Sequence, residues 1–228
     1  MSTPTLGIVV LGLGHNTLAG MVGDARSHPE GTLVEHVFAE GLLRRATVAD
    51  QELLAEVTAA ASRLVDRGAD LVGTSCGYFA PFQRSLAEAL PVPVFTTPMM
   101  QLPSLLASLP RDRRVLVVAA VAHGVDARCL EACGVPTDEV DRIAVVGMDR
   151  PGHFADAVLA HRIDPDPGAF VAQIVEVIAQ AIDGSGGDIG AIVLECGEMP
   201  AAGQAVRESF PLPVIDYLSY FAGAVAMR

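Results

Sequence analysis

Leu71-Val-Gly-Thr-Ser-Cys-Gly77 and Ala191-Ile-Val-Leu-Glu-Cys-Gly197 decide how this chain folds. Each is a short apolar run that ends on a cysteine and a glycine, the pattern of a buried parallel strand passing into a loop. Prolines follow at the same distances, Pro91 and Pro93 after Cys76, Pro211 and Pro213 after Cys196. Beyond them Val92-Pro-Val-Phe95 matches Leu212-Pro-Val-Ile215. A unit of strand, cysteine, helix, Pro-x-Pro and strand is therefore written twice, 120 residues apart.

Around these two copies the chain alternates between strand and helix patterns. Leu6-Gly-Ile-Val-Val-Leu11 reads as a buried strand entering a loop at Gly12-Leu-Gly14. A weaker strand is expected over 33–38. Leu53, Leu54, Val57, Ala60 and Leu64 carry helical spacing within 48–67, and Gly68 stops it. Further strands are expected at 92–96, 115–121, 143–146, 191–195 and 212–215. Helices are expected at 102–109, 126–133, 154–161 and 168–182, after Cys196 as far as 209, and at the C-terminus. This alternation predicts an α/β fold of two pseudo-symmetric lobes, each a parallel sheet flanked by helices, with the active site between them. The lobes are expected to comprise residues 1–97 plus 216–228, and 98–215. A fainter echo joins the strands over 8–13 and 116–121, followed by His15 and His123; short apolar runs discriminate too poorly for it to carry weight.

Composition narrows the function classes. The 228 residues are 51% apolar and 18% charged, without Trp and with 5% aromatics. Aliphatic side chains must therefore supply the core, which suits buried parallel strands. The formal net charge of −12 argues against nucleic-acid binding, which rests on Lys and Arg neutralising phosphates. Met1 to Thr5 carry no basic region, and the apolar run that follows is short, so neither a signal peptide nor a membrane span is expected. Four cysteines without secretory context read as free thiols in a reducing, cytoplasmic compartment.

A cysteine where a strand gives way to a helix sits where α/β sheets bind ligands. Backbone N–H groups and a helix dipole there favour a thiolate or a bound carboxylate, and are expected to lower the thiol pKa. Gly77 and Gly197 are expected to let a ligand approach the main chain. Any one cysteine is as well read as a small core hydrophobe. Recurrence at one architectural position is what points to chemistry, since packing does not require it. Two sulfurs meeting across a cleft would take a proton from one face of a carbon and return it to the other. Cys129 and Cys133, four apart on one helix face, read as core packing, because no second ligand pair with zinc spacing accompanies them. No metal site is expected from the six histidines.

The segments from Gly68 to Gln83 and from Ala191 to Pro200, with their Pro-x-Pro elements, resemble the aspartate/glutamate/hydantoin racemase superfamily over nearly the whole chain. The resemblance implies a cofactor-independent isomerase, with Cys76 and Cys196 as acid–base pair and a small carboxylate or amide as substrate. Enzymes of this resemblance are often homodimers; from the charge and the N-terminal sequence, neither nucleic-acid nor membrane partners are expected. Where amino-acid racemases carry Asn with Thr or Ser after the first cysteine, this chain has Gly77 and Tyr78. Where they carry Thr after the second, it has Gly197 and Glu198. Those departures move the pattern away from ordinary aspartate or glutamate, toward a less characterised racemase-like subgroup.

Substitute substrate holders are Thr74, Ser75, Thr96 and Thr97, whose hydroxyls lie at or just beyond strand ends, each equally readable as a turn or cap residue. Arg26, in the loop after the first strand, is a candidate carboxylate clamp because its fork binds two oxygens, although a solvated loop arginine reads as well. Tyr78 and Glu198 occupy matching places; a carboxylate there would raise the Cys196 thiol and make it the proton donor. Glu195 should alternate away from its neighbour's direction. A racemase or epimerase leads. A decarboxylase or cis–trans isomerase on the same fold, a non-catalytic ligand-binding protein and a thiol redox protein stand behind it.

Overall fold

The computed structural model describes residues 3–12, 16–38 and 40–227. Gly14 and His15, on which the first loop and the first histidine of the echo fall, lie outside the described residues. β1 (Leu6–Leu11) is buried throughout and pairs in parallel with β2 (Leu33–Val37). α1 (Leu42–Thr47) follows, an element that the sequence reading missed. Ala49, with φ of 53°, turns the chain into α2 (Gln51–Asp66), whose start is capped by the Asp50 carboxylate accepting from Leu53 N. The helix expected over 48–67 is α2, starting three residues later than expected, and the left-handed Ala49 separates it from α1.

β3 (Leu71–Thr74) leads through Cys76 into a 3-10 turn over Gly77–Phe82, then α3 (Gln83–Ala89), β4 (Val94–Phe95) and α4 (Leu102–Ser108). The second half runs β5 (Arg114–Ala119), α5 (Ala127–Ala132), β6 (Ile143–Gly147), a π-helical turn over Ala155–Leu159 and α6 (Pro167–Gly184). It continues through β7 (Ile189–Leu194), a 3-10 turn over Met199–Ala202, α7 (Gly203–Ser209), β8 (Val214–Ile215) and α8 (Tyr217–Ala226).

The strands form two four-stranded parallel sheets of the same order, β2-β1-β3-β4 and β6-β5-β7-β8, each flanked by helices. Hydrogen bonds repeat with the order. Val72 N donates to Pro93 O and Ile192 N to Pro213 O, both at 2.9 Å; Phe79 N donates to Cys76 O and Met199 N to Cys196 O, both at 3.1 Å. β1 and β5 hold equivalent places, so the strand echo set aside in the sequence joins true counterparts. Each cysteine is followed by a 3-10 turn rather than directly by an α-helix. Pro81 falls inside the first of those turns and offers no amide hydrogen for a helical bond back along the chain, whereas Pro200 stands at the start of the second, where none is needed.

One continuous apolar core spans both sheets. A smaller cluster seats α8 on β1 and β3, where Tyr217 and Phe221 cover Leu6, Ile8 and Leu71. The approach requires a glycine, because a Cβ at Gly73 would stand 2.4 Å from the Phe221 ring. Gly73→Ala is expected to displace α8 and destabilise the fold by about 1–3 kcal/mol. Urea unfolding of the variant measures this, and Phe221→Leu in the same chain should recover part of the loss.

Candidate active site

Cys76 and Cys196 leave the carboxyl ends of β3 and β7 and line one cavity of about 260 Å³, together with Ser75, Tyr78, Glu195 and Glu198. The cysteines are 8% and 7% exposed, so their side chains sit at the cavity floor. Each sulfur accepts a backbone hydrogen bond from two residues ahead, Cys76 from Tyr78 and Cys196 from Glu198. Those are the donors the strand-end position implied. They do not govern the ionisation. Burial pushes both thiols well above their ordinary range, and the charges of Glu195 and Glu198 push in the same direction. The expectation of lowered thiols is therefore corrected: one amide bond each, from a turn without α-helical length, is outweighed by lost solvation and two carboxylates. Nor does Glu198 single out Cys196 as donor, since it raises both.

The lobes interlock at the cysteines. A Cβ on Gly77 would stand 2.1 Å from Glu195 Oε1, and one on Gly197 2.4 Å from the Ser75 carbonyl oxygen. Ser75 and Glu195 are the residues immediately ahead of Cys76 and Cys196. Each therefore fills the space that the other lobe's glycine leaves open. The glycines admit the opposing lobe at these points, where a ligand was expected.

Glu195 is the functional candidate that strand alternation turned away from the site. β7 ends at Leu194, so Glu195 is free of the pleat and swings into the cavity wall. Its Oε2 accepts from Ala120 N at 3.0 Å, and Gly77 N–H and the Tyr78 hydroxyl also donate to the carboxylate. Burial raises its pKa to about 7 despite these donors. The repeat held the missing signal, because Glu195 takes the place of Ser75. Glu198 accepts from Cys196 Sγ at 2.8 Å. The Tyr78 hydroxyl accepts from Val121 N at 2.7 Å and lies 2.9 Å from Val121 O, tying a first-lobe ring to the second lobe.

Of Thr74, Ser75, Thr96 and Thr97, Ser75 is the one that lines the cavity, and its Oγ accepts from Leu11 N. Thr74 donates to Thr96 O at 2.6 Å, Thr96 donates to Gln83 Oε1, and Thr97 caps Met99 N. These three are fully buried away from the cavity and are consumed in supporting it. Tyr217 of α8 donates to the same Thr96 oxygen. Arg26 is corrected too. Its fork grips Asp24, two residues away, at 2.9 and 2.6 Å, and it does not line the cavity. The grip holds the Asp24 carboxyl down at about 2.

The walls come from segments that were not read as site-forming. Leu42, Leu43 and Arg44 of α1 face Val158 and Leu159 of the π-helical turn and His161. Arg128 of the second lobe donates to Thr47 O and Val48 O, anchoring the end of α1, and Asn16 donates to Asp164 across the lobes at 2.8 Å. Cys129 and Cys133 are buried in the core. Among the described residues no three His, Cys, Asp or Glu side chains cluster as a metal site, and no helix is long and apolar enough to cross a membrane.

Solved structures of low sequence identity share this architecture. A glutamate racemase isoform from Bacillus anthracis superposes with a TM-score of 0.63 at 14% identity, over 98% of this chain and 80% of that one. An allantoin racemase from Klebsiella pneumoniae gives 0.62 at 22% identity, over 98% and 87%. A doubly substituted arylmalonate decarboxylase in its liganded form gives 0.62 at 19%, over 99% and 92%. The chain shares the fold of these two racemases and of the decarboxylase. No family model matches the chain. By sequence it is similar to dimethylsulfoniopropionate lyase 3 of Emiliania huxleyi (strain CCMP1516), 26% identical over 162 residues, covering 68% of this chain and 42% of that protein. It is also 29% identical over 157 residues to a dimethylsulfoniopropionate lyase of Durusdinium sp. clade D, covering 66% and 50%. The chain thus spans about half the length of these curated relatives or less. In this shared fold both cysteines stand at the cleft between the lobes.

Two outcomes test the interlock. Gly77→Ala should destabilise the protein by about 1–3 kcal/mol and cost far less in a Glu195→Ala background, a coupling that a double-mutant cycle in urea reads directly. The second outcome concerns pH. The folded-state pKa of Glu195 lies above its ordinary 4.5, so folding takes up a proton. That stabilising contribution is complete below about 4.5 and is lost as pH rises through about 7. Relative to Glu195→Gln, the unmodified chain should lose about 3 kcal/mol of unfolding free energy between pH 5 and 8.

Proposed function

We propose that this chain is a cofactor-independent enzyme that moves a proton at a carbon beside a carboxylate or amide, with Cys76 and Cys196 as the acid–base pair. The observation that carries the reading is that both thiols, at matching positions of the two lobes, open into one small cavity. Racemisation or epimerisation follows from that arrangement. Cys196 Sγ takes the substrate proton as its own passes to Glu198 Oε2, 2.8 Å away, and the Cys76 thiol donates to the opposite face. Glu198 then holds a proton with which the Cys76 thiolate is reloaded. Burial supports the sequence of transfers, because neither thiolate is stable at rest and a proton acceptor must stand within reach. Leu11, Leu42, Leu43, Val158 and Leu159 would exclude water from the carbanion.

A second reading is elimination. It is supported by the sequence relatives, named as dimethylsulfoniopropionate lyases, and by an asymmetry in the site: of the two thiols, Cys196 is the one hydrogen-bonded to a carboxylate side chain. One base suffices to remove a proton from the carbon beside a carboxylate while a group leaves the neighbouring carbon.

Incubation in deuterated water with amino acids, hydantoins, arylmalonates and dimethylsulfoniopropionate separates the readings. Under racemisation, Cys76→Ala and Cys196→Ala should each lower inversion by about 100-fold or more while retaining exchange from one hand, the opposite hand in each variant. Inversion unchanged in either variant would overturn the two-thiol assignment. Release of dimethyl sulfide that survives Cys76→Ala and fails in Cys196→Ala would establish elimination.

A further inference from the structure

Glu195 is a buried carboxylate with no assigned part in proton transfer. Its three donors come from both lobes: Ala120 N–H from the second, Gly77 N–H and the Tyr78 hydroxyl from the first. The first-lobe donors belong to the turn that carries Cys76, and the Tyr78 backbone N–H is the group that bonds the Cys76 sulfur. Contact is too close for even a methyl group on Gly77. We propose that Glu195 is a positioning residue: by bridging from the second lobe to Gly77 and Tyr78, its carboxylate sets where the Cys76 sulfur stands opposite Cys196.

Hydrogen-bond accounting makes this positioning depend on charge. Tyr78 has one hydroxyl hydrogen and two acceptors for it, the Val121 carbonyl and the Glu195 carboxylate. Ionised Glu195 accepts from Gly77, Ala120 and Tyr78 together. Once protonated, Glu195 must itself donate, and the Tyr78 hydrogen goes to Val121 O. The turn under Cys76 is therefore wired differently in the two states. The titratable groups around Glu195 are Cys196 and Glu198 on its own segment, Cys76 and Tyr78 on the facing turn, Cys129 on α5 and Tyr217 on α8. Arg44 and His161 line the same cavity. No cation is among the largest influences on Glu195, and the charge is neutralised chiefly by a proton. The switch falls near neutral pH.

Site-resolved alkylation tests this without a substrate. Iodoacetamide labelling of Cys76 and Cys196 in the full chain, followed by peptide mass spectrometry from pH 5.5 to 9, should show the Cys76-to-Cys196 labelling ratio stepping about pH 7. Glu195→Gln should remove the step, and Tyr78→Phe should shrink it at least twofold. A step that persists in Glu195→Gln overturns the proposal, as does a wild-type ratio without one. If Glu195→Gln does not fold, Tyr78→Phe decides by the same criterion. A packing role alone would change thermal stability and leave the shape of the ratio intact. The kinetic arm rests on the proton-transfer reading: with whichever probe exchanges in deuterated water, Glu195→Gln should lower kcat about tenfold, leave KM within twofold and abolish the limb near pH 7. Failure of every probe to exchange would count against that reading, while the labelling step would still decide the part played by Glu195.

Discussion

Two lobes of one sequence pattern meet where each pushes the residue before its cysteine into the gap beside the other's glycine. Ser75 O lies where a Gly197 side chain would be, and Glu195 lies where a Gly77 side chain would be. This contact brings the ends of β3 and β7 together and forms a cavity that both cysteines share. It also explains why the flanking glycines matter. Any Cβ at either site would drive the lobes apart at the one place where their spacing decides the chemistry.

The interlock is symmetric in backbone and asymmetric in side chains. Equivalent hydrogen bonds join Val72 to Pro93 and Ile192 to Pro213, and equivalent amides reach the two sulfurs. Yet Ser75 faces Gly197 where Glu195 faces Gly77, and Tyr78 answers Glu198. A duplicated frame thus holds two thiols alike while giving them different neighbours. Cys196 has a carboxylate at hydrogen-bond distance, and Cys76 lies under a turn braced by Glu195 and Tyr78. Such a site can treat the two faces of a carbon unequally even though its scaffold is nearly twofold.

Burial makes these carboxylates consequential. Taking Glu195 out of water raises its pKa into the neutral range, and the same loss of solvation keeps both thiols protonated. A thiol that must act as base in such surroundings needs a partner to receive its proton. The walls of α1 and the π-helical turn maintain the low dielectric, and the Arg128 and Asn16 contacts hold those walls across the lobe boundary.

The fold was legible because strand burial and repetition are local properties. Apolar runs, the Cys-Gly junctions and the Pro-x-Pro spacing depend on neighbours in the chain, and they specified two equivalent parallel sheets before any contact was known. Side-chain pairing, both local and long-range, decided the rest. Arg26 was captured by Asp24, Thr74, Thr96 and Thr97 were spent on Gln83, Tyr217 and backbone groups, and Glu195 escaped the alternation rule where β7 stopped. By itself the sequence determined which atoms are repeated. Only the tertiary structure decided which of them share a cavity, and in what charge state, because desolvation and cross-lobe hydrogen bonds arise from residues far apart in the chain, 43 positions for Tyr78 and Val121 and 148 for Asn16 and Asp164.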